Sequence, residues 1–286
     1  MQDDRTAMKF AHRFRIALAV LLSMPVVLAG PLTQASESRN RTELEAAIAS
    51  DHRTPAYAAR DEFRHPLETL LFFGIRPEMT IVEIWPGGGW YTEILAPFVK
   101  GRGKYYAADR NRDTQDERIR KSIERYEAKL AERPDKYAEV IVTELSRTKG
   151  EIAPAGSADL VLSFRNVHNW MKFGFERHIF ESMYKALKPG GVLGIVEHRA
   201  DPDEFPDPQA LSGYVQEAQV IGIAEAAGFK FDAKSEINAN PKDTRNHPEG
   251  VWTLPPALRL KDKDRDKYLA IGESDRMTLR FVKPKS

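Results

Sequence analysis

The side chains able to do chemistry in this sequence stand at the ends of apolar runs. Glu83 closes the run Ile81-Val82-Glu83-Ile84 and is followed by Trp85-Pro86-Gly87-Gly88-Gly89-Trp90-Tyr91. Glycines let a backbone approach a ligand closely, and the helix that starts after such a turn offers free N–H groups. Asp109 ends a second run, Lys104 to Ala108, where a carboxylate accepts hydrogen bonds from ribose hydroxyls. Arg165-Asn166-Val167-His168-Asn169-Trp170 follows a third run and Glu197-His198-Arg199 a fourth. Glu83, Gly87, Gly88, Gly89, Asp109 and Asn166 are therefore candidates for a nucleotide-like ligand. Trp85 and Tyr91, with Trp90, are aromatic candidates beside it, because a ring face attracts a cation. His168 and His198 are candidate proton acceptors, His168 preferred, since an unperturbed imidazole titrates near neutrality. No metal site is expected. Asp262, Asp264, Asp266 and Glu273 have a faint calcium-loop spacing, but the glycine at the sixth position is missing and basic residues alternate with the acids.

These residues need a scaffold, and the patterning supplies one. Strands are predicted over 79–84, 104–108, 139–143, 159–164, 192–196, 229–235 and 277–282. Helices are predicted over 42–50, from Pro66 to a stop at Gly74, over 91–99, 115–133 and 175–187, and around Val220 to Ala227. Ile119, Ile123, Tyr126 and Leu130 recur at helical spacing, so that helix lays one face on a sheet. Strands that alternate with helices imply a parallel sheet with right-handed crossovers. Ligands of such sheets bind beyond the carboxyl ends of the strands, the edge to which all the candidate residues are delivered. Between 237 and 276 no helical periodicity is legible. The stretch carries four prolines and many charges, and reads as a long irregular loop that covers the pocket together with residues 36–78.

Composition narrows the classes. With 43 basic and 42 acidic residues, nothing steers the whole molecule to nucleic acid or to an anionic membrane. The absence of cysteine excludes disulfides, thiolate metal sites and cysteine nucleophiles. Lys9, His12, Arg13 and Arg15 precede the apolar run Ile16 to Ala29, which is interrupted by Pro25 and too short to span a bilayer. Small residues follow, so residues 1–35 read as a secretory signal peptide cut after Ala29 or Ala35, and the protein is expected to be exported without a lasting membrane anchor. The division expected is a leader over 1–35, a helical extension over 36–78 and one α/β domain over 79–286.

Three segments taken together resemble the class I S-adenosylmethionine-dependent methyltransferases: Val82 to Thr92, the strand from Gly103 to Asp109, and Leu187-Lys188-Pro189-Gly190-Gly191-Val192-Leu193. In that family a carboxylate, one residue and Gly-x-Gly-x-Gly form the first motif. Here Glu83 holds the carboxylate, Gly87 and Gly89 the second and third glycines, and Trp85 stands in place of the first. The resemblance covers about residues 79–236. Arg60-Asp61, Arg64-His65-Pro66 and Trp252-Thr253-Leu254-Pro255-Pro256 resemble, more narrowly, a pattern of bacterial methyltransferases that carry a signal peptide. The resemblance implies a three-layer Rossmann-like methyltransferase fold with a seven-stranded, mostly parallel sheet and one antiparallel strand. It implies S-adenosylmethionine as cofactor and a small molecule as methyl acceptor. Two alternatives stay open: a methyltransferase-like binding protein without catalysis, and a nicotinamide-dependent oxidoreductase. The latter's Gly-x-Gly-x-x-Gly fingerprint is met by threonine at its last position, Thr92.

Overall fold

A strand buried on both faces is predominantly apolar, and two stretches approach that condition here, interrupted by Glu83 in one and by Asp159 and Ser163 in the other. Ile81 to Ile84 are all buried, as are six of the seven residues from Ala158 to Phe164. They form adjacent central strands of a seven-stranded sheet in the computed structural model, which describes residues 31–285. The strands are β1 (Thr80–Ile84), β2 (Lys104–Asp109), β3 (Val140–Glu144), β4 (Ala158–Phe164), β5 (Leu187–His198), β6 (Lys230–Ser235) and β7 (Arg276–Val282). Their order is β3-β2-β1-β4-β5-β7-β6. Every pairing from β3 to β5 is parallel, whereas β7 runs antiparallel to both β5 and β6. This is the three-layer, mostly parallel sheet with one reversed strand that the sequence led us to expect.

Eleven α-helices surround the sheet among the described residues. Those before β1 are α1 (Pro31–Ile48), α2 (Pro55–Ala58), α3 (Asp61–Arg64) and α4 (Pro66–Phe72). The crossovers carry α5 (Thr92–Val99), α6 (Glu117–Glu132), α7 (Pro134–Tyr137), α8 (Val167–Phe173), α9 (Glu176–Ala186) and α10 (Glu217–Ala226), and α11 (Arg265–Ile271) precedes β7. Alternate strand residues feed two cores. Ile81, Tyr105, Leu160 and Leu162 pack with α1, α4 and α5 on one face, and Val82, Val161, Leu193 and Ile195 pack with α8, α9 and α10 on the other. Residues 1–30 of the expected leader and the cut after Ala29 lie outside the described residues, whereas Ala35, the alternative cut, falls within α1. No helix among those described is long and apolar enough to cross a membrane.

The segment before β1 is fastened to the sheet rather than loosely appended. Gly194, in the middle of β5, leaves room for the Phe73 ring, and a Cβ built there would lie 2.7 Å from it and 2.8 Å from Leu162. We expect Gly194→Ala to destabilise the protein by about 1–3 kcal/mol through overpacking, measured by urea unfolding. An unchanged midpoint would mean that this segment is free to shift.

The stretch 237–276 differs from its expectation as a loose loop. It contains a 3₁₀ turn (Gly250–Thr253) and α11, and two buried carboxylates pin it. The Asp275 carboxylate accepts from Arg199 Nε at 2.9 Å, Arg245 Nη2 at 3.0 Å and the Asn240 N–H at 2.8 Å. Asp243 accepts from the Tyr214 hydroxyl at 2.9 Å, His247 Nε2 at 2.8 Å and the Asp275 N–H at 2.8 Å. The helix α11 escaped the sequence reading because only Tyr268 of its seven residues is buried, which leaves no apolar period to read.

Candidate functional site

At the carboxyl edge of the sheet lies a cavity of about 350 Å³. That is at the lower end of the range for small-molecule sites, roughly 300–1,000 Å³. Strand β1 delivers Glu83 to it, followed by Trp85, Pro86, Gly87 and Gly88, and β4 delivers Arg165, Asn166 and His168. His198 arrives at the end of β5, Tyr57, Arg60 and Arg64 come from the helices before β1, and Trp252, Glu273 and Ser274 come from the 237–276 stretch.

Glu83 is 3% exposed. The Tyr105 hydroxyl donates to its Oε2, and the Thr92 hydroxyl lies 3.4 Å from the same oxygen. Burial pushes its pKa up to about 7, against the opposing effect of these two hydroxyls. Asp109 ends β2 and accepts the Arg110 N–H at 2.8 Å. Burial raises its pKa as well. Asp109 itself does not line the cavity, whereas its neighbour Arg110 does. Asn166 spans from β4 to β1 by donating Nδ2–H to the Ile84 carbonyl at 3.0 Å.

The three glycines divide their work. Gly87, at φ +62, has nothing within 4 Å of a would-be Cβ and leaves the cavity side open. At Gly88 a Cβ would fall 2.3 Å from the Tyr57 hydroxyl, so glycine there admits a residue of the N-terminal segment. Gly89 does not line the cavity. Its φ of +79 and its contacts with Tyr126 and Lys129 give it a packing role, which corrects its assignment to the ligand.

Trp85 occupies the first glycine position of the motif with φ +48, a backbone conformation that glycine adopts without strain. Three contacts hold it there. Its Nε1 donates to the Leu145 carbonyl at 3.0 Å, its ring meets Trp170 edge-on at 6.0 Å, and the Arg110 guanidinium lies 4.7 Å from its ring centre. Restoring glycine would relieve about 1 kcal/mol of backbone strain, yet loses more in packing. We expect Trp85→Gly to lower stability by about 2 kcal/mol, and a stabilised variant in urea unfolding would refute that balance. Tyr91 lines the cavity but stacks one face on Phe164, ring centres 3.5 Å apart, so only its edge and its other face serve a ligand.

His168 falls in the first turn of α8, a helix too short to show in the sequence pattern. The fully buried Glu197 accepts its backbone N–H at 3.3 Å and contacts its Nδ1 at 3.0 Å. With a carboxylate accepting at Nδ1, that nitrogen carries the proton and Nε2 presents its lone pair. Nε2 makes no hydrogen bond to any described residue, and the side chain lines the cavity. His198 lies 5.3 Å away, ring centre to ring centre, with its Nδ1 2.5 Å from the Ser274 hydroxyl. Burial, then the neighbouring His168, Arg165, Arg276 and Arg64, hold its pKa well below the usual histidine value, which makes it a poor proton acceptor. Although sequence spacing pointed to no metal, the fold gathers His168, Glu197 and His198 with ligand atoms within 4.8 Å of one another. All three have hydrogen-bonding partners within the protein. Arg199, next in sequence, turns away to Asp275, Glu217 and Glu236.

An arginine group forms the wall that sequence reasoning missed. Glu273 lies between Arg60 Nε at 2.5 Å, Arg64 Nε at 3.5 Å and Arg276 Nη2 at 2.7 Å. Burial opposes its ionisation, but Arg276 and Arg64 hold its pKa down to about 2. Arg60 and Arg64 carried a signal only as part of the narrower family pattern. Glu273 appeared only as the end of a rejected calcium spacing, and nothing in the sequence joins it to residues more than two hundred positions earlier.

Strand order, the reversed β7 and a site above the carboxyl ends of β1, β2 and β4 define the Rossmann-like methyltransferase fold. Comparison with solved structures agrees. A SAM-dependent methyltransferase from Aquifex aeolicus superposes with a TM-score of 0.53 at 18% identity, covering 85% of this chain and 98% of that one. The (4+2) cyclase SpnF superposes with a TM-score of 0.55 at 13% identity, covering 88% and 96%. No protein-family model and no curated protein matches the chain. Identities this low establish the fold, and a cyclase among these structures shows that the fold alone does not settle the reaction.

Proposed function

We propose that the protein is an S-adenosylmethionine-dependent methyltransferase acting on a small molecule, with His168 as the general base. The observation that carries this reading is the placement of two sets of groups around one cavity. Glu83, the Gly87–Gly88 backbone and Asn166 flank the β1 side, and His168 with its buried Glu197 partner stands on the β4–β5 side. The donor set suits the cofactor. Glu83 offers a buried carboxylate to a cationic amino-acid end, Asp109 lies where ribose hydroxyls are read, and the open face at Gly87 admits close backbone approach.

When bound, the cofactor supplies a methyl group activated by its sulfonium sulfur, and transfer is a direct displacement governed by alignment. The chain's own part is to hold the acceptor in line and to take its proton. His168 Nε2 accepts that proton, while Glu197 fixes the ring and stabilises the imidazolium that results. Trp252, ring centre 6.0 Å from that of His168, closes the cavity on the side of the 237–276 stretch and excludes water from the reacting groups.

Calorimetric titration with S-adenosylhomocysteine tests the reading, with binding expected. Binding of NAD(P)H in its place would support the oxidoreductase, and cofactor binding with no turnover on any acceptor would support a binding protein. Proton transfer by His168 further predicts turnover insensitive to a chelator. Activity lost to chelation and restored by a divalent metal would reassign the His168–Glu197–His198 trio to ligation. Export rests on the basic and apolar leader pattern, and N-terminal sequencing of the mature protein tests it.

A further inference from the structure

The arginine wall is out of balance with the rest of the cavity. Arg60, Arg64 and Arg165 line it with Arg276 behind them, and among the described residues Glu273 is the one carboxylate that pairs with any of them. Arg64 is 2% exposed and lines the cavity, with Nε and Nη2 making no hydrogen bond, and Arg60 Nη2 is likewise buried without one. The flat face of Arg64 lies over Trp90, with its guanidinium carbon 4.6 Å from the ring centre, while along its edge Nε faces Glu273 at 3.5 Å without a hydrogen bond and Nη2 has no partner. Arg165 lines the cavity too, and its side chain forms no hydrogen bond or ion pair with any described residue. Its backbone is left-handed at φ +61, held by an N–H bond to Val196 at 2.7 Å. Strain of this kind at a cavity-lining residue serves to aim a side chain.

We propose that the methyl acceptor carries an oxyanion group, a carboxylate or a phosphate, which binds across Arg165, Arg64 and Arg60. The proposal rests on the methyltransferase reading above. Guanidinium groups present planar, paired donors that match the oxygens of such groups, and buried donors without partners are the natural seat for them. The cofactor alone does not restore the balance. S-adenosylmethionine brings a sulfonium and an ammonium against a single carboxylate, so its arrival adds positive charge. The location also favours the acceptor. Glu273 bonds the arginines and the next residue, Ser274, bonds His198, so Arg165 borders the histidine pair, whereas Arg64, stacked over Trp90, reaches toward the Glu83 end as well.

The same donors could be claimed by the carboxylate of the cofactor itself, and the experiment separates the two sources. Inorganic phosphate is titrated calorimetrically into the full-length protein, alone and saturated with S-adenosylhomocysteine, for the wild type, Arg165→Gln and Arg165→Lys. We expect phosphate to bind in both states and Arg165→Gln to weaken it by roughly 10- to 100-fold, with Arg165→Lys intermediate and S-adenosylhomocysteine affinity nearly unchanged. Displacement of phosphate by S-adenosylhomocysteine, or an equal loss of S-adenosylhomocysteine affinity in Arg165→Gln, would assign the arginines to the cofactor and overturn the proposal. Absence of phosphate binding to the wild-type protein also overturns it, independently of how the variants fold. If S-adenosylhomocysteine fails to bind, the methyltransferase reading falls first. Phosphate binding lost in Arg165→Gln then marks an oxyanion site without a methyl acceptor.

Discussion

Glu83→Gln is expected to stabilise the protein at pH 8 while weakening its hold on the cofactor. The glutamate is buried, and its folded-state pKa of about 7 lies above the ordinary value of 4.5. Between those two values the folded protein binds the proton that the unfolded chain has released. Its contribution is therefore fully present below pH 4.5, falls as pH rises towards 7, and stays lost above it. The loss amounts to about 3 kcal/mol. Glutamine keeps an oxygen for the Tyr105 hydroxyl and carries no charge, so the variant should unfold at a higher urea concentration than the wild type at pH 8 and at a similar one at pH 5. The carboxylate form is the one that serves a cationic ligand, so wild-type affinity for S-adenosylhomocysteine should fall as pH drops below 7, and the variant should lack this dependence. A variant less stable at pH 8, or one that binds as tightly as the wild type, would show that Glu83 is a structural acceptor for Tyr105 and Thr92 alone.

The second large effect concerns His168. We expect His168→Ala to lower kcat by about 10²–10⁴-fold, with S-adenosylhomocysteine affinity essentially unchanged. Glu197→Gln should lower it by about 10–100-fold. The reason is a count of donors. Glu197 accepts from the His168 N–H, His168 Nδ1 and the His198 N–H, and glutamine has one acceptor oxygen where the carboxylate has two. At least one donor is dropped, and the imidazolium formed during transfer loses its counter-charge. The pH profile of kcat distinguishes positioning from mere structural support, because the rising limb should move in Glu197→Gln if the carboxylate tunes His168. Unchanged turnover in His168→Ala would eliminate the base assigned here and return attention to His198.

Legibility in the sequence followed burial. β1, β4 and β5 are apolar runs that terminate on polar residues, and their ends marked Glu83, Asn166, His168 and His198. The glycine turn was legible as a turn, though not the division by which Gly87 faces the cavity and Gly89 faces Tyr126. Elements with little apolar periodicity escaped. α8 is seven residues long, and α11 buries one side chain. The arginine wall escaped for a different reason. Charged residues are ordinarily solvated, so although Arg165 follows an apolar run and Arg60 and Arg64 belong to the narrower family pattern, nothing local joined them to one another or to Arg276. Only the fold, by closing the N-terminal helices and the last loop over the same edge, draws them together around Glu273.

Glu273, Ser274 and Asp275 perform three attachments in three consecutive positions: to the arginine wall, to His198 and to the Arg199–Arg245 pair. The antiparallel register of β7 starts at the next residue, Arg276, opposite His198. Spacing along this stretch is thus fixed from both sides. A codon inserted after Gly272 would leave every side chain in the protein intact, yet move each of the three attachments one place out of phase. The same insertion beside Phe205, which is 97% exposed, disturbs only hydrogen bonds from the Gln216 and Gln219 amides to the carbonyls of Glu204 and Asp207, and no ion pair to the cavity wall. Among natural variants of this chain, length changes should therefore accumulate around residue 205 and be missing between 272 and 276, even where the residues themselves differ.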